Sequence, residues 1–118
     1  MKKRDMIFYV GGIIVVLFIA GCGQNVLTDL NLDSFASCLT ENGAEMYGAS
    51  WCPHCTDQKE LFGESFKLID YTECTTDQQK CEEEGIQYLP TWKFADGTVT
   101  TGLKSFSSLA EKTGCKLP

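Results

Sequence analysis

Hydrophobic and polar positions divide this chain into a greasy head and a patterned body. Lys2-Lys3-Arg4 precedes a nearly uninterrupted apolar run from Met6 to Ala20, which closes in Ile19-Ala20-Gly21-Cys22. A basic end followed by an apolar segment is the layout of an export leader. Residues 23–31 (GQNVLTDLN) are polar with isolated apolar positions and read as a short tether. A flexible stretch of that length has a root-mean-square reach of roughly 15–18 Å. From Leu32 onward the pattern becomes periodic, so 32–118 is taken as one folded domain.

Leu32, Phe35, Ala36 and Leu39 repeat at helical spacing, with Asn31 or Asp33 as a cap and Gly43 placed to stop the helix. Glu45 to Ala49 alternates into a short strand. Pro53 suits the first turn of a following helix, where its missing N–H would have had no partner, and Leu61, Phe62 and Phe66 supply that segment's apolar side. Residues 67–73 (KLIDYTE) read as a second strand, and Asp77 to Glu84 as a polar helix stopped by Gly85. Two β-prone runs, Thr91–Phe94 and Thr98–Thr101, flank Asp96-Gly97, the signature of a two-residue hairpin turn. Ser105 caps a last helix with Phe106, Leu109 and Ala110 inward, ended by Gly114. The order predicts an α/β domain: a mixed sheet covered by helices on both faces. Strand order is left open.

Composition sharpens the picture. The chain has 118 residues, room for one domain. Three of its 10 basic residues and one of its 16 acidic ones lie in the first five positions, so the remainder is more acidic than the whole chain's net −6. No basic stripe is left to meet phosphates, which argues against nucleic acid. Glu82-Glu83-Glu84 is most simply a solvated helix face. Seven cysteines in so short a chain point to an oxidising compartment or to metal, and the leader favours the first. Small residues before Cys22 resemble the lipobox of bacterial lipoproteins, in which that cysteine is lipidated and becomes the new N-terminus. The alternative is an uncleaved signal anchor, residues 6–23 being at the short end of what spans a hydrocarbon core. Either reading tethers the domain to a membrane on its extracytoplasmic face.

The chemistry centres on Trp51-Cys52-Pro53-His54-Cys55. Cysteine attacks as the thiolate. Cys52 follows a strand and opens a helix, where unpaired N–H groups and the macrodipole favour negative charge. Cys55 lies one turn further on, within reach of a disulfide. Cys52 is thus read as the exposed nucleophile, Cys55 as the buried resolving thiol, and His54, when protonated, as added positive charge. Stabilising the thiolate stabilises the reduced form and makes the disulfide a strong oxidant. No metal or other cofactor is called for beyond this redox-active pair. A lone Cys-x-x-Cys is also half of a zinc site, with Cys74 and Cys81 as the other half; the strand before it, Pro53 within it and the exported context favour redox.

Tyr47 to Cys55, then residues 58–63 (QKELFG), then Leu89-Pro90-Thr91-Trp92 resemble a thioredoxin-fold domain. They are similar in particular to the thioredoxin-like domain fused to, or encoded beside, bacterial and archaeal vitamin K epoxide reductase homologues. The similarity runs from about Phe35 to Cys115, and Cys-Pro-His-Cys is also the motif of the DsbA oxidases. The resemblance implies a Cys52–Cys55 pair oxidised by a quinone-linked membrane partner, which then passes its disulfide to exported proteins. It implies a cis Pro90 facing the cysteines, with neighbouring backbone free to pair with a substrate strand; Leu89, Pro90 and an exposed Trp51 would form the substrate groove, and Trp92 the core. It supports a second disulfide near Cys74, which ends a strand, and Cys81, in the next helix; Cys38–Cys115 is then left by elimination. Cys74–Cys81 is read as a structural staple in preference to a relay pair. One departure stands out. Thioredoxin and DsbA carry a buried acid six residues before the first cysteine, where this chain has Met46, and alternation should turn Glu45 to the opposite face. No proton acceptor is assigned.

Two rival functions remain open: the same fold run as a disulfide reductase or isomerase, and a non-catalytic zinc-binding or docking module.

Overall fold

The structure, a computed structural model, describes residues 25–118. The leader and Cys22 lie outside the described residues. Among the described residues no helix is long and apolar enough to cross a membrane. Asn31–Pro118 forms one compact unit.

The first helix, α1, is Asn25–Glu41. It begins before the expected cap at Asn31 or Asp33, so residues 25–31 are helical rather than a coiled tether. That segment has no glycine or proline, and a helix propagates cheaply once nucleated. From Phe35 onward α1 buries Phe35, Ala36 and Leu39. Strand β1 (Glu45–Gly48) leads through Trp51 into α2 (Pro53–Phe62). A 3-10 turn at Gly63–Leu68 precedes strand β2 (Asp70–Glu73), which is therefore shorter than the expected strand over 67–73. Helix α3 (Gln78–Glu83) starts at Asp77, whose carboxylate accepts from the Lys80 N–H. Strands β3 (Thr91–Lys93) and β4 (Val99–Thr101) follow, then α4 (Phe106–Thr113), capped by the Ser105 hydroxyl.

The β3–β4 hairpin is one residue longer at its tip than the two-residue turn expected. Gly97 N donates to Phe94 O and Phe94 N to Thr98 O. Gly97 has φ +83°, but among the described residues no non-glycine residue has positive φ. A two-residue type I′ turn needs positive φ at both central positions, so Asp96 cannot serve as one of them. Asp96 instead accepts from the Thr98 N–H and hydroxyl.

The four strands form one sheet in the order β2-β1-β3-β4, with β1 and β2 parallel and the other pairs antiparallel. This is the mixed α/β architecture expected of a thioredoxin-like domain. Register sorts the side chains. Met46 pairs with Tyr71 on one side and Trp92 on the other, so all three share a face. On that face α1, α2 and α4 meet through Phe35, Phe62 and Phe106, with Phe62 also against Trp92. Tyr47 and Thr72 point to the opposite face. There Lys80 from α3 sits 5.7 Å over the Tyr47 ring and donates to the Thr72 hydroxyl.

Candidate active site

The end of β1 and the start of α2 build the site. Cys52 is the residue capping α2, with φ −86° and ψ 118°, and its Sγ accepts the Cys55 N–H at 3.3 Å. Pro53 occupies the first turn and surrenders no hydrogen bond by doing so. The Cys52 sulfur thus lies where free N–H groups and the helix dipole favour negative charge. Among the described residues Cys52 and Cys55 are the free cysteines, and both are buried. Cys52 retains 5% exposure and Cys55 none. Cys52 is therefore not the exposed nucleophile expected; a sliver of its surface reaches solvent beside the protruding Trp51, which is 72% exposed. Burial, together with the Cys52 sulfur, pushes the Cys55 thiol up to about 12, against opposing pulls from the Ala49 backbone and, more weakly, Lys59. Its proton is held tightly at neutral pH.

His54 is exposed, and its Nδ1 lies 3.6 Å from the Asp57 carboxylate. Imidazolium charge at this position is shared with a carboxylate rather than reserved for sulfur.

The remaining candidates fall into separate places. Leu89–Pro90 is a cis peptide, and the buried Pro90 carbonyl accepts from Gly102 N. Trp51, Ile86, Tyr88 and Leu89 line one groove together with Cys74 and Cys81. Those two cysteines are joined, with Cα atoms 5.8 Å apart, so they have no thiolates to offer a metal. Cys38 is joined to Cys115 across 77 residues, fastening α1 to the chain after α4. Trp92 is fully buried in the core.

Two sets of residues around the pair are not legible in the motif. Gln58 is fully buried: its Oε1 accepts from Trp92 Nε1 and Lys104 N, and its Nε2 donates to Lys104 O. The signal for it lay in spacing, since 55, 58 and 62 form one inward stripe of α2. The second set is Tyr71 and Glu73 on β2. Tyr71 Oη donates to Glu73 Oε1 at 2.9 Å. Glu73 Oε2 accepts from Ser50 N, just before the motif, and from the Thr75 N–H and hydroxyl. Burial opposes ionisation of Glu73, but these hydrogen bonds outweigh it and hold the carboxyl below its ordinary range.

Fold and site together define a thioredoxin-like domain with a Cys-x-x-Cys pair at a helix start. No family model matches the chain. It is 41% identical over 93 residues to the thiol-disulfide oxidoreductase LTO1 of Arabidopsis thaliana, an alignment taking in 71% of this chain and 24% of that protein. The chain thus spans about a quarter of the relative's length.

Proposed function

We propose that this domain is a protein thiol:disulfide oxidoreductase that donates the Cys52–Cys55 disulfide to exported proteins. The observation that carries the reading is the Cys52 sulfur, capping α2 and accepting the Cys55 N–H with a second free thiol one turn away. The similarity to a protein named a thiol-disulfide oxidoreductase supports it. In the donating direction a client thiolate attacks Cys52 Sγ, the Cys52–Cys55 bond breaks, and Cys55 leaves with the electron pair. A second client thiolate then displaces Cys52 and leaves the client oxidised. The groove of Trp51, Tyr88 and Leu89 offers apolar contact for an extended client segment, with two exposed aromatic rings at its rim.

The N-terminal pattern of Lys2-Lys3-Arg4, apolar run and Cys22 supports tethering, by lipid or by a signal anchor, on the extracytoplasmic side of a membrane. The resemblance to domains partnered with vitamin K epoxide reductase homologues supports a quinone-linked membrane protein as the oxidant that restores the pair. A reductase or isomerase is the second reading, favoured by Asp57, which shares the His54 charge and lessens the pull toward the thiolate.

Equilibration of the pair against glutathione tests the direction. A donor should be half-oxidised well above the roughly −270 mV of thioredoxin, toward the roughly −120 mV of DsbA. A value at or below that of thioredoxin would sink the donor reading, and stoichiometric zinc on the reduced pair would displace redox altogether.

A further inference from the structure

Exchange at this site requires Cys55 to gain and lose a proton, yet its sulfur is sealed from water and no acid lies beneath it on β1. Met46, on the face covered by α2, is apolar and fully buried, and Glu45 is engaged on the other side by the Tyr47 hydroxyl. The adjacent strand supplies a polar path. Tyr71 is the register partner of Met46, and Glu73 that of Gly48, so both project toward α2. Gly48 leaves the necessary space. A Cβ built there would lie 3.0 Å from Tyr71 Oη and 3.1 Å from Cys55 Sγ. The hydroxyl and the sulfur converge on one gap that any larger residue would fill. Glu73, on the far side of the hydroxyl, is half-buried and reaches the surface segment at Ser50 and Thr75.

We propose that Tyr71 and Glu73 form the proton relay of Cys55, taking the place of a buried acid on β1; the proposal rests on the oxidoreductase reading of the Cys52–Cys55 pair. When Cys55 resolves a mixed disulfide at Cys52, its S–H proton passes to Tyr71 Oη while the tyrosine's own proton passes to the Glu73 carboxylate and on to water. The Cys55 sulfur forms a bond to Cys52 Sγ, and the departing thiolate takes the electron pair of the broken bond. In the donating direction the same chain runs backward. Cys55 leaves as a thiolate and receives the tyrosine proton, which Glu73 and water replace. A thiol that binds its proton as firmly as Cys55 is a poor leaving group unless a donor stands ready, and a positioned donor or acceptor commonly contributes ~10²–10⁴-fold.

The groups facing Tyr71 are few. Glu73 accepts its proton, the Cys52 and Cys55 sulfurs lie toward α2, and Lys59 Nζ stands 4.3 Å over the ring. Phe66 packs edge-on against it. Tyr71→Phe therefore removes the hydroxyl and keeps the packing.

The test is stopped-flow oxidation of the reduced full chain by oxidised glutathione, followed by Trp51 and Trp92 fluorescence. The glutathione-dependent phase reports attack by Cys52, and the concentration-independent phase reports resolution by Cys55. Tyr71→Phe should slow only the second phase, by at least about tenfold near neutral pH. The deficit should shrink as pH rises and hydroxide takes over, and the wild type's solvent deuterium isotope effect should change in the variant. Glu73→Gln should slow the same phase. Resolution in Tyr71→Phe within twofold of wild type at every pH would overturn the relay while leaving the oxidoreductase reading intact. Wild type that does not react, or that stops at the Cys52–glutathione mixed disulfide without joining Cys52 to Cys55, would overturn that reading itself. Equal slowing of both phases, unaltered by pH or by deuterium, would mark Tyr71 as packing and also overturn the relay.

Discussion

At the scale of single residues, the two cysteines of the motif differ in what surrounds them more than in where the chain puts them. Cys52 holds an amide hydrogen bond at a helix start, whereas Cys55 sits a turn deeper with no solvent contact. Cys55 is raised, chiefly by burial, from an ordinary 9.0 to about 12. The consequence for stability has a definite sign. Below the unfolded value both states hold the proton and nothing is lost. As pH climbs from the unfolded toward the folded value, the unfolded chain releases its proton first and gains on the native state. The reduced protein should therefore lose stability from about pH 9 upward toward about pH 12, and the oxidised protein, whose Cys55 has no proton to release, should lose less. Urea midpoints of both forms across that range check this; parallel curves would mean that the Cys55 thiol titrates as though it were in water.

Elements follow the same local rules, though unevenly. Where a side chain's chemistry settles an end, the sequence sufficed: Asp77 and Ser105 cap α3 and α4, and Pro53 opens α2. It failed where tertiary context decides. Lys67 and Leu68 look like the start of a strand but complete a 3-10 turn, and Asp96-Gly97 belongs to a longer hairpin tip than its dipeptide implies. Of the site, the Cys-x-x-Cys pair was legible because the partners lie three residues apart at the start of one helix. Tyr71 and Glu73 were not, because only the parallel pairing of β1 with β2 brings them across from Met46 and Gly48. Gln58 shows how such an unannounced residue holds elements in place. Its amide joins α2 to β3 through Trp92 and to the segment before α4 through Lys104. Gln58→Leu would keep the apolar bulk but strand the Trp92 and Lys104 donors and the Lys104 carbonyl. Unpaired buried groups cost about 1–3 kcal/mol each, so with partial rehydration of Lys104 a loss of ~2–4 kcal/mol in urea unfolding is expected. A change within about 0.5 kcal/mol, the usual range for a surface substitution, would show that the clamp is idle.

For the molecule as a whole, the two disulfides divide stability from function. A domain of this size buries a modest core, so a covalent tie between its ends matters. Cys38–Cys115 closes 77 residues and binds α1 to the final segment, and Asn42 Nδ2 donates to both of its sulfurs. Cys74–Cys81 closes only 7 residues and forms part of the groove wall beside Trp51. Restricting the unfolded chain makes the longer loop worth about 4–5 kcal/mol and the shorter about 2. Replacing Cys38 and Cys115 together by serine should therefore lower the urea midpoint markedly, while oxidation of a small thiol by the Cys52–Cys55 pair stays near wild type in the folded fraction. Replacing Cys74 and Cys81 together should cost less stability but slow exchange with a protein client, because the groove loses part of its wall while the pair itself is unchanged. The two measurements, unfolding and client exchange, should rank the double variants in opposite order. An identical ranking would mean that the groove beside Trp51 is not where clients are held.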